Sequence, residues 1–446
     1  LPQLDSTDRG AVIDGEIQNS GGNVLPFDVP WYRRLLAFAV LLGISGGVLG
    51  LIYLGTTGWV IDRLLPATDG TAWSGEWWWI PLAAVGGLIV VMLRTMWHIP
   101  NEVPGGVALV EAGAVDHTTV PQWLAVTAVS AVFGASLGPS FALVLMGGGL
   151  GSWIASRARD AEGADTDYTL TGVAGAFGAA FTSPILGAFL VSELEPIPRH
   201  RYVASFIPQL IAAIAGFVIF YAVAGRTFLG SYEVPAYDFE VLHLLVAIGL
   251  GVIAACVMLV FVGVAIAIKR VCALITNPYV LGFGGGAVVG LIAFALPLTL
   301  GAGQSQLGVV IDGAGQLGIG LLIVVLVAKM AAMALSLELG FMGGNVFPII
   351  FMGGTAGIVV SLVFPDIPVA LAVGCMLAAV PGSYLRAPVS MVLISAIALY
   401  LAPETIAPVA VSVVTAYLLL AGVRYSIAQR KGAQGSAGSA DAPAPA

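Results

Sequence analysis

Between Arg34 and Asp62 the chain runs from Leu35 to Ile61, 27 residues, without a charge. A helix of that length rises about 40 Å, enough to cross a hydrocarbon core of about 30 Å with tilt to spare. That stretch fixes the solvent. At that depth every backbone N–H and C=O must find its partner inside the protein, so the chain can cross only as helix or closed barrel. Further apolar stretches begin near Ile80, Trp123, Ile207, Leu242, Val280, Gly318, Val369 and Ile406. Only 9% of the residues are charged and 59% are hydrophobic, whereas soluble domains carry about 25% charge. A barrel would show short alternating segments, and these are absent. The sequence therefore predicts an all-α polytopic membrane protein.

Several of the apolar stretches are broken, and the breaks repeat. "GASLGPSFALVLMGGGLG", Gly134 to Gly151, aligns without a gap on "GFMGGNVFPIIFMGGTAG", Gly340 to Gly357, at a constant offset of 206 with seven of eighteen positions identical. A second pair follows, "SPILGAFLVSEL" from Ser183 and "APVSMVLISAIAL" from Ala387, each a proline opening an apolar helix. Two halves, about 31–226 and 240–430, thus each hold a glycine-rich break, a helix, and a proline-started helix. Interrupted helices at matching positions of duplicated halves mark a transporter's central site. A helix that starts at a break presents unpaired N–H groups and about half a positive charge, and glycine lets a ligand approach. Two such tips make an anion site without a full cation. The competing reading is that the glycines serve only close helix packing.

Charge patterning sets the expected topology. Arg33/Arg34, Arg157/Arg159, Arg199/Arg201, Lys269/Arg270 and Arg424/Arg430/Lys431 flank apolar segments, while linkers 66–77 and 230–240 carry acids and no basic residue. Basic flanks lie on the cytoplasmic side, so both termini are expected inside the plasma (inner) membrane. Residues 1–30 form a polar cytoplasmic segment, and 431–446, rich in Gly, Ala, Ser and Pro, a disordered tail. Cys256, Cys272 and Cys375 lack metal-ligand spacing and are expected to be buried thiols. No basic, aromatic-interleaved patch suggests nucleic acid. His98, His117, His200 and His243 are scattered, and no catalytic, metal or cofactor constellation is evident.

At these residues the chain resembles the CLC family of chloride channels and chloride/proton antiporters, from about Trp31 to Arg430. "LSLELGFMGGNVFP", Leu335 to Pro348, is similar to the family segment whose backbone amides bind chloride, which implies anion contacts at Gly344, Asn345, Val346 and Phe347. "NEVPGGVALVEAG", Asn101 to Gly113, stands where the family has its serine-containing chloride motif, with Gly105 and Gly106 as donors and the serine lost. "SPILGAFLVSELE" places Glu193 on a characteristic helix glutamate, and "RYSIAQR" puts Tyr425 on the tyrosine that closes the inner side. Gly138 falls on the first glycine of the gating segment, and Ser140 on its glutamate. Antiporters carry a second, internal glutamate directly after the position of Glu193; here it is Leu194. The resemblance also implies inverted halves meeting near the midplane, a homodimer in the lipid bilayer, and small anions such as chloride as substrate.

A carboxylate gates such a path because it is an anion when ionised and neutral when protonated. Serine and leucine do not titrate in the working range, so the expectation is passive or uncoupled flux that is insensitive to pH between about 4 and 8. Glu193 is expected to anchor helix ends. Lys329 either lends positive potential to the path or pairs with Glu338. Glu102 and Glu111 read as cavity-edge or helix-end charges, Arg94 and Arg386 as interfacial snorkelling groups, and Trp77 to Trp79 as an aromatic belt. A secondary transporter for another solute and a non-conducting relative remain open.

Overall fold

The structure, a computed structural model, describes residues 25–440 apart from 28, 66–74, 101, 159–163, 182, 196–200, 226–227 and 230, and omits the side chains of 428 and 430–440. The polar segment 1–24, Asp160, Arg159, Arg199 and His200 lie outside the described residues.

Sixteen α-helices fall into two sets of eight that correspond in order. The first set is α1 (Pro30–Leu64), α2 (Trp79–Met96), α3 (Gly106–Glu111), α4 (Val120–Val132), α5 (Ser140–Ala158), α6 (Ala164–Ala180), α7 (Pro184–Leu194) and α8 (Tyr202–Ala224). The second is α9 (Leu242–Cys272), α10 (Pro278–Ala295), α11 (Gln304–Asp312), α12 (Ala314–Glu338), α13 (Val346–Val363), α14 (Val369–Tyr384), α15 (Pro388–Ala398) and α16 (Ile406–Ala440). Among the described residues, nine helices are long and apolar enough to cross a membrane, the last of them over Pro403–Ile427. Proline opens α1, α7, α10 and α15 at the first helical position, where its fixed φ suits the helix and its missing N–H costs nothing.

The packing follows the same duplication. In the first half α5 packs on α6, α6 on α8, and α1 on both α6 and α8; in the second, α13 packs on α14, α14 on α16, and α9 on both α14 and α16. Close approach depends on small residues: a Cβ on Gly175 would meet Gly43 Cα at 2.9 Å, and one on Gly47 would meet Gly216 O at 2.8 Å. Between the halves, α2 lies on α10 and α7 on α15, each helix against its own counterpart.

The offset of 206 extends beyond the quoted echo. Gly134 and Gly340 both adopt left-handed backbone, at φ 83° and 81°, just before the breaks. Ser130 Oγ accepts from Met342 N at 3.0 Å, and Ser336 Oγ accepts from Ser136 N at 3.1 Å. These are the same bond written twice, since 130 pairs with 336 and 136 with 342 in the repeat. Each serine also donates back one helical turn, to Val126 O and Ala332 O. The segments meet in an antiparallel bridge between Gly138 and Gly344, as inverted halves require.

Three expectations change here. Cys272 and Cys375 are buried, but Cys256 is exposed on α9; in a membrane helix an apolar neighbourhood faces lipid as readily as core. Trp77 lies on the surface as a belt residue would, whereas Trp79 is buried beneath Gly75 and Ala293. Helix α16 continues to Ala440, through the first part of the stretch 431–446 whose composition predicts disorder. An established helix propagates far more easily than it nucleates, even where Gly432, Gly435 and Gly438 weaken it. Residues 441–446 lie outside the described residues.

Replacing Ser130 by alanine strands the buried Met342 N–H, and Ser336→Ala does the same to Ser136 N–H. Each is expected to cost about 1–3 kcal/mol, read as an equal drop in detergent thermal midpoint. The surface control Ser156→Ala should stay within about 0.5 kcal/mol.

Candidate functional site

The two breaks meet face to face. Gly138 N donates to Gly344 O at 2.6 Å and Gly344 N donates to Gly138 O at 2.7 Å. Helix α5 starts two residues after Gly138, at Ser140, and α13 starts two residues after Gly344, at Val346. Glycine is required at 344 for space, because a Cβ there would overlap Ser140 Oγ and sit 3.0 Å from Phe141 N. This corrects one expectation: the Gly138 and Gly344 amides hydrogen-bond each other and are not offered to a ligand. The donors left at the junction are the first-turn N–H groups of α5 and α13 and the Ser140 hydroxyl.

Beside this junction lies a small, narrow cavity lined by Gly106, Val107 and Val110 of α3, Ser140 and Val144 of α5, Phe177 of α6, Leu190 and Leu194 of α7, Gly344, Asn345 and Val346, and Leu385. Of the residues the sequence singled out, Gly106, Ser140, Leu194, Gly344, Asn345 and Val346 are gathered in one wall. Among the described residues no carboxylate lines it. Apart from Ser140, Asn345 and the two glycines the wall is aliphatic or aromatic, so an anion inside would exchange water for helix N-termini, which are worth more where the dielectric is low.

Three predicted residues lie elsewhere, and a fourth, Phe347, keeps its first-turn N–H at the junction while its ring does not line the cavity. Gly105 precedes α3 as its N-cap and does not line the cavity. Gly138 is consumed in the bridge. Phe347 turns its ring away from the cavity, stacked on Phe181 at 5.7 Å and edge-on to Phe228 at 5.5 Å. Tyr425 does not close the site: it is 66% exposed and its hydroxyl accepts from Gln429 Nε2 at 2.6 Å. One residue's rotation on α16 decides this, since the neighbouring Arg424 is the side chain that reaches inward, to Ser383 O at 2.6 Å. The tyrosine beside the cavity is Tyr384, whose hydroxyl accepts from Asn345 Nδ2 at 3.2 Å. Its only sequence signal was its place at the end of an apolar run, just before Leu385.

Two charged side chains, Glu193 and Arg94, tie the halves together, and a third, Lys329, braces the second half. Glu193, at the end of α7, accepts from Val389 N, Ser390 N and Ser390 Oγ, all at 2.7 Å, and so caps the start of α15 in the other half. That is the anchoring role the sequence suggested, with the acceptor charge set against the positive end of the helix. Arg94 does not snorkel; it donates to Gly340 O at 2.9 Å and to Pro100 O, holding the end of α12 where φ turns positive. Lys329 does not pair with Glu338 but with main-chain carbonyls. It is fully buried, and its Nζ donates to Gly301 O at 2.6 Å and Thr299 O at 3.0 Å, pinning the short 3-10 turn Pro297–Thr299. Glu338 is not among its partners, and Lys329 does not line the cavity.

A second polar group stands just past the same end of α7. Asp167, buried in the first turn of α6, accepts from Arg201 Nη2 at 2.8 Å and Ser205 Oγ at 2.7 Å. Glu195, the residue after Leu194, is held beside it; burial first, then the Asp167 charge, push its carboxyl up to about 8, against the pull of Arg201. Among the described residues no cluster of three or more His, Cys, Asp or Glu is placed to hold a metal.

Duplicated halves, each interrupted where the two meet, and helix tips lining one acid-free cavity define a membrane protein built to pass small solutes of negative charge. Residues 101–421 match the family described as voltage gated chloride channel, and the chain belongs to that family of anion channels and transporters. An uncharacterized protein of Methanocaldococcus jannaschii is 28% identical over 208 residues, 44% of this chain and 49% of the relative, so the chain spans about half that protein's length. "Putative ion-transport protein YfeO" of Salmonella paratyphi A is 26% identical over 325 residues, 70% of this chain and 75% of the relative. In fold, the chain is similar to a slow cyanobacterial Cl-/H+ antiporter, with TM-score 0.73 and 18% identity over 87% of this chain and 95% of that one.

Two outcomes follow from these carboxylates. Glu193→Ala removes charged hydrogen bonds to two α15 amides and is expected to lose about 2–4 kcal/mol, measured as a fall in thermal midpoint. For Glu195 the folded value lies above the ordinary 4.5, so its protonated form stabilises the fold below about pH 4.5, and that contribution is lost as pH rises towards 8. The thermal midpoint should therefore decline across that window, and Glu195→Gln should flatten the decline.

Proposed function

We propose that the chain moves chloride or other small anions passively, as a channel or uncoupled carrier, through the cavity between α3, α5, α7 and α13. The observation that carries this is the absence, among the described residues, of any carboxylate from the cavity wall, with Ser140 and Leu194 standing in it where the resemblance puts the gating and proton-relay glutamates. An uncharged wall has nothing to protonate and nothing anionic to swing aside. The working molecule on this reading is a multi-pass protein of the plasma (inner) membrane with both termini cytoplasmic. It is a homodimer with one path per subunit, as the family resemblance implies.

Liposome efflux tests it. Chloride flux per folded protein should change less than about twofold between pH 5 and 7.5, since no wall group has a reference value there, and a chloride gradient should move no protons. Ser140→Glu should introduce block that is relieved as pH falls. Stoichiometric proton movement in the unmodified protein overturns the reading.

One observation favours a second reading, in which protons are coupled from the basic side. Glu195 follows the cavity-lining Leu194 and holds its proton to about 8. If flux does depend on pH and Glu195→Gln abolishes that dependence, the coupled reading replaces the passive one.

A further inference from the structure

At the edge of the cavity the two halves bring opposite charges together outside the wall itself. Glu111 ends α3 and directly follows the wall residue Val110; Arg386 directly follows the wall residue Leu385. Arg386 Nε stands 3.9 Å from Glu111 Oε1, with the two side chains 69% and 32% exposed. A pair that long and that wet is weak. Among the described residues the two Nη groups of Arg386 make no hydrogen bond, so the fork of the guanidinium is unengaged. Around it, Tyr384 carries the hydroxyl bonded to Asn345 and lies within electrostatic reach of Glu111 and Arg424. Arg424 is committed to Ser383 O, and Glu193 to Val389 and Ser390.

We infer that Arg386 is an anion-recruiting site at the cavity mouth that prefers planar oxyanions such as nitrate over halides, with Glu111 as its built-in competitor. A guanidinium presents parallel N–H donors that match two oxygens in one plane. A spherical halide meets the same charge but cannot engage both donors equally well. An arriving oxyanion displaces only a long, solvated contact, and Glu111, partly buried next to Val110, opposes it by repulsion. Without Arg386 the mouth keeps the acid alone and becomes a barrier; without Glu111 the guanidinium is fully available. The inference names a substrate class for the path proposed above and rests on that cavity being the path, but binding at the mouth is measured without flux.

The test is nitrate and chloride titration by calorimetry on the full-length protein in detergent, paired with liposome flux of both anions. Arg386→Gln should weaken nitrate binding about fivefold or more and lower nitrate flux at low concentration. Arg386→Lys, which keeps the charge and loses the fork, should retain chloride binding but reduce nitrate binding at least threefold. Glu111→Gln should tighten nitrate about threefold. Unchanged nitrate binding in Arg386→Gln, full nitrate binding in Arg386→Lys, or weaker binding in Glu111→Gln overturns the site. If Arg386→Gln does not elute as a folded species, Arg386→Lys and Glu111→Gln decide alone. Proton-coupled flux with these binding shifts intact would sink the passive reading and leave the mouth site standing.

Discussion

The structure depends on a pair of hydrogen bonds between two glycines. Gly138 and Gly344 exchange N–H and C=O across the junction of the halves, and this solves the problem that unwound backbone creates in lipid. A break exposes polar groups that water cannot reach. Here each break satisfies the other, so neither half can hold its interruption without its partner. The exchange also sets the spacing of everything nearby. It fixes the starts of α5 and α13 two residues beyond, brings Ser140 Oγ against Gly344, and requires that Gly344 carry no side chain in that gap.

Around that pair the same bond is repeated outward with shrinking symmetry. The serine-to-amide bonds of Ser130 and Ser336 match to within 0.1 Å of each other, and the left-handed turns at Gly134 and Gly340 differ by two degrees. The charges break the pattern. Glu193 caps α15, but its counterpart region carries no acid capping α7. Arg94 holds Gly340 O, and Lys329 pins a turn of its own half. Backbone needs are alike in both halves and were met alike. The charged ties are single and directional, which lets one side of the junction become a cavity.

How much of this the sequence disclosed follows from what each signal measures. The offset of 206 reports backbone geometry, because glycine is needed wherever chains approach or φ turns positive. It therefore located the junction, the helix starts and four of the wall residues, Ser140, Gly344, Asn345 and Val346, whereas Gly106 and Leu194 came from the family resemblance. Ser130 and Ser336 obey the same offset just outside the quoted window, and extending it would have found them. Side-chain direction is another matter. Tyr425 and Arg424 are adjacent on one helix and point about 100° apart, so a short motif cannot say which faces in. The partners of Lys329 were missed because they are carbonyls of a turn, and main-chain acceptors leave no trace in residue identity. Hydropathy misplaced Cys256 for the same kind of reason: in a bilayer the outside is as apolar as the core.

An acid-free wall has a consequence for control. A charged plug can leave a path at the cost of one proton, whereas a backbone pair has no such step: parting Gly138 from Gly344 gives up two buried hydrogen bonds, each about 1–3 kcal/mol if left unmet. The constriction is thus stiff on the passive reading, and it offers no titratable handle. Selection must then act before the anion reaches it. Among the described residues, Glu111 and Arg386 next to the wall are opposite charges that stand close, loosely bound and in water. Strength there would be a fault, since a tight site holds its ion and slows passage. A long ion pair that an arriving anion can replace gives preference without capture, and the rigid junction behind it supplies the donors that complete dehydration.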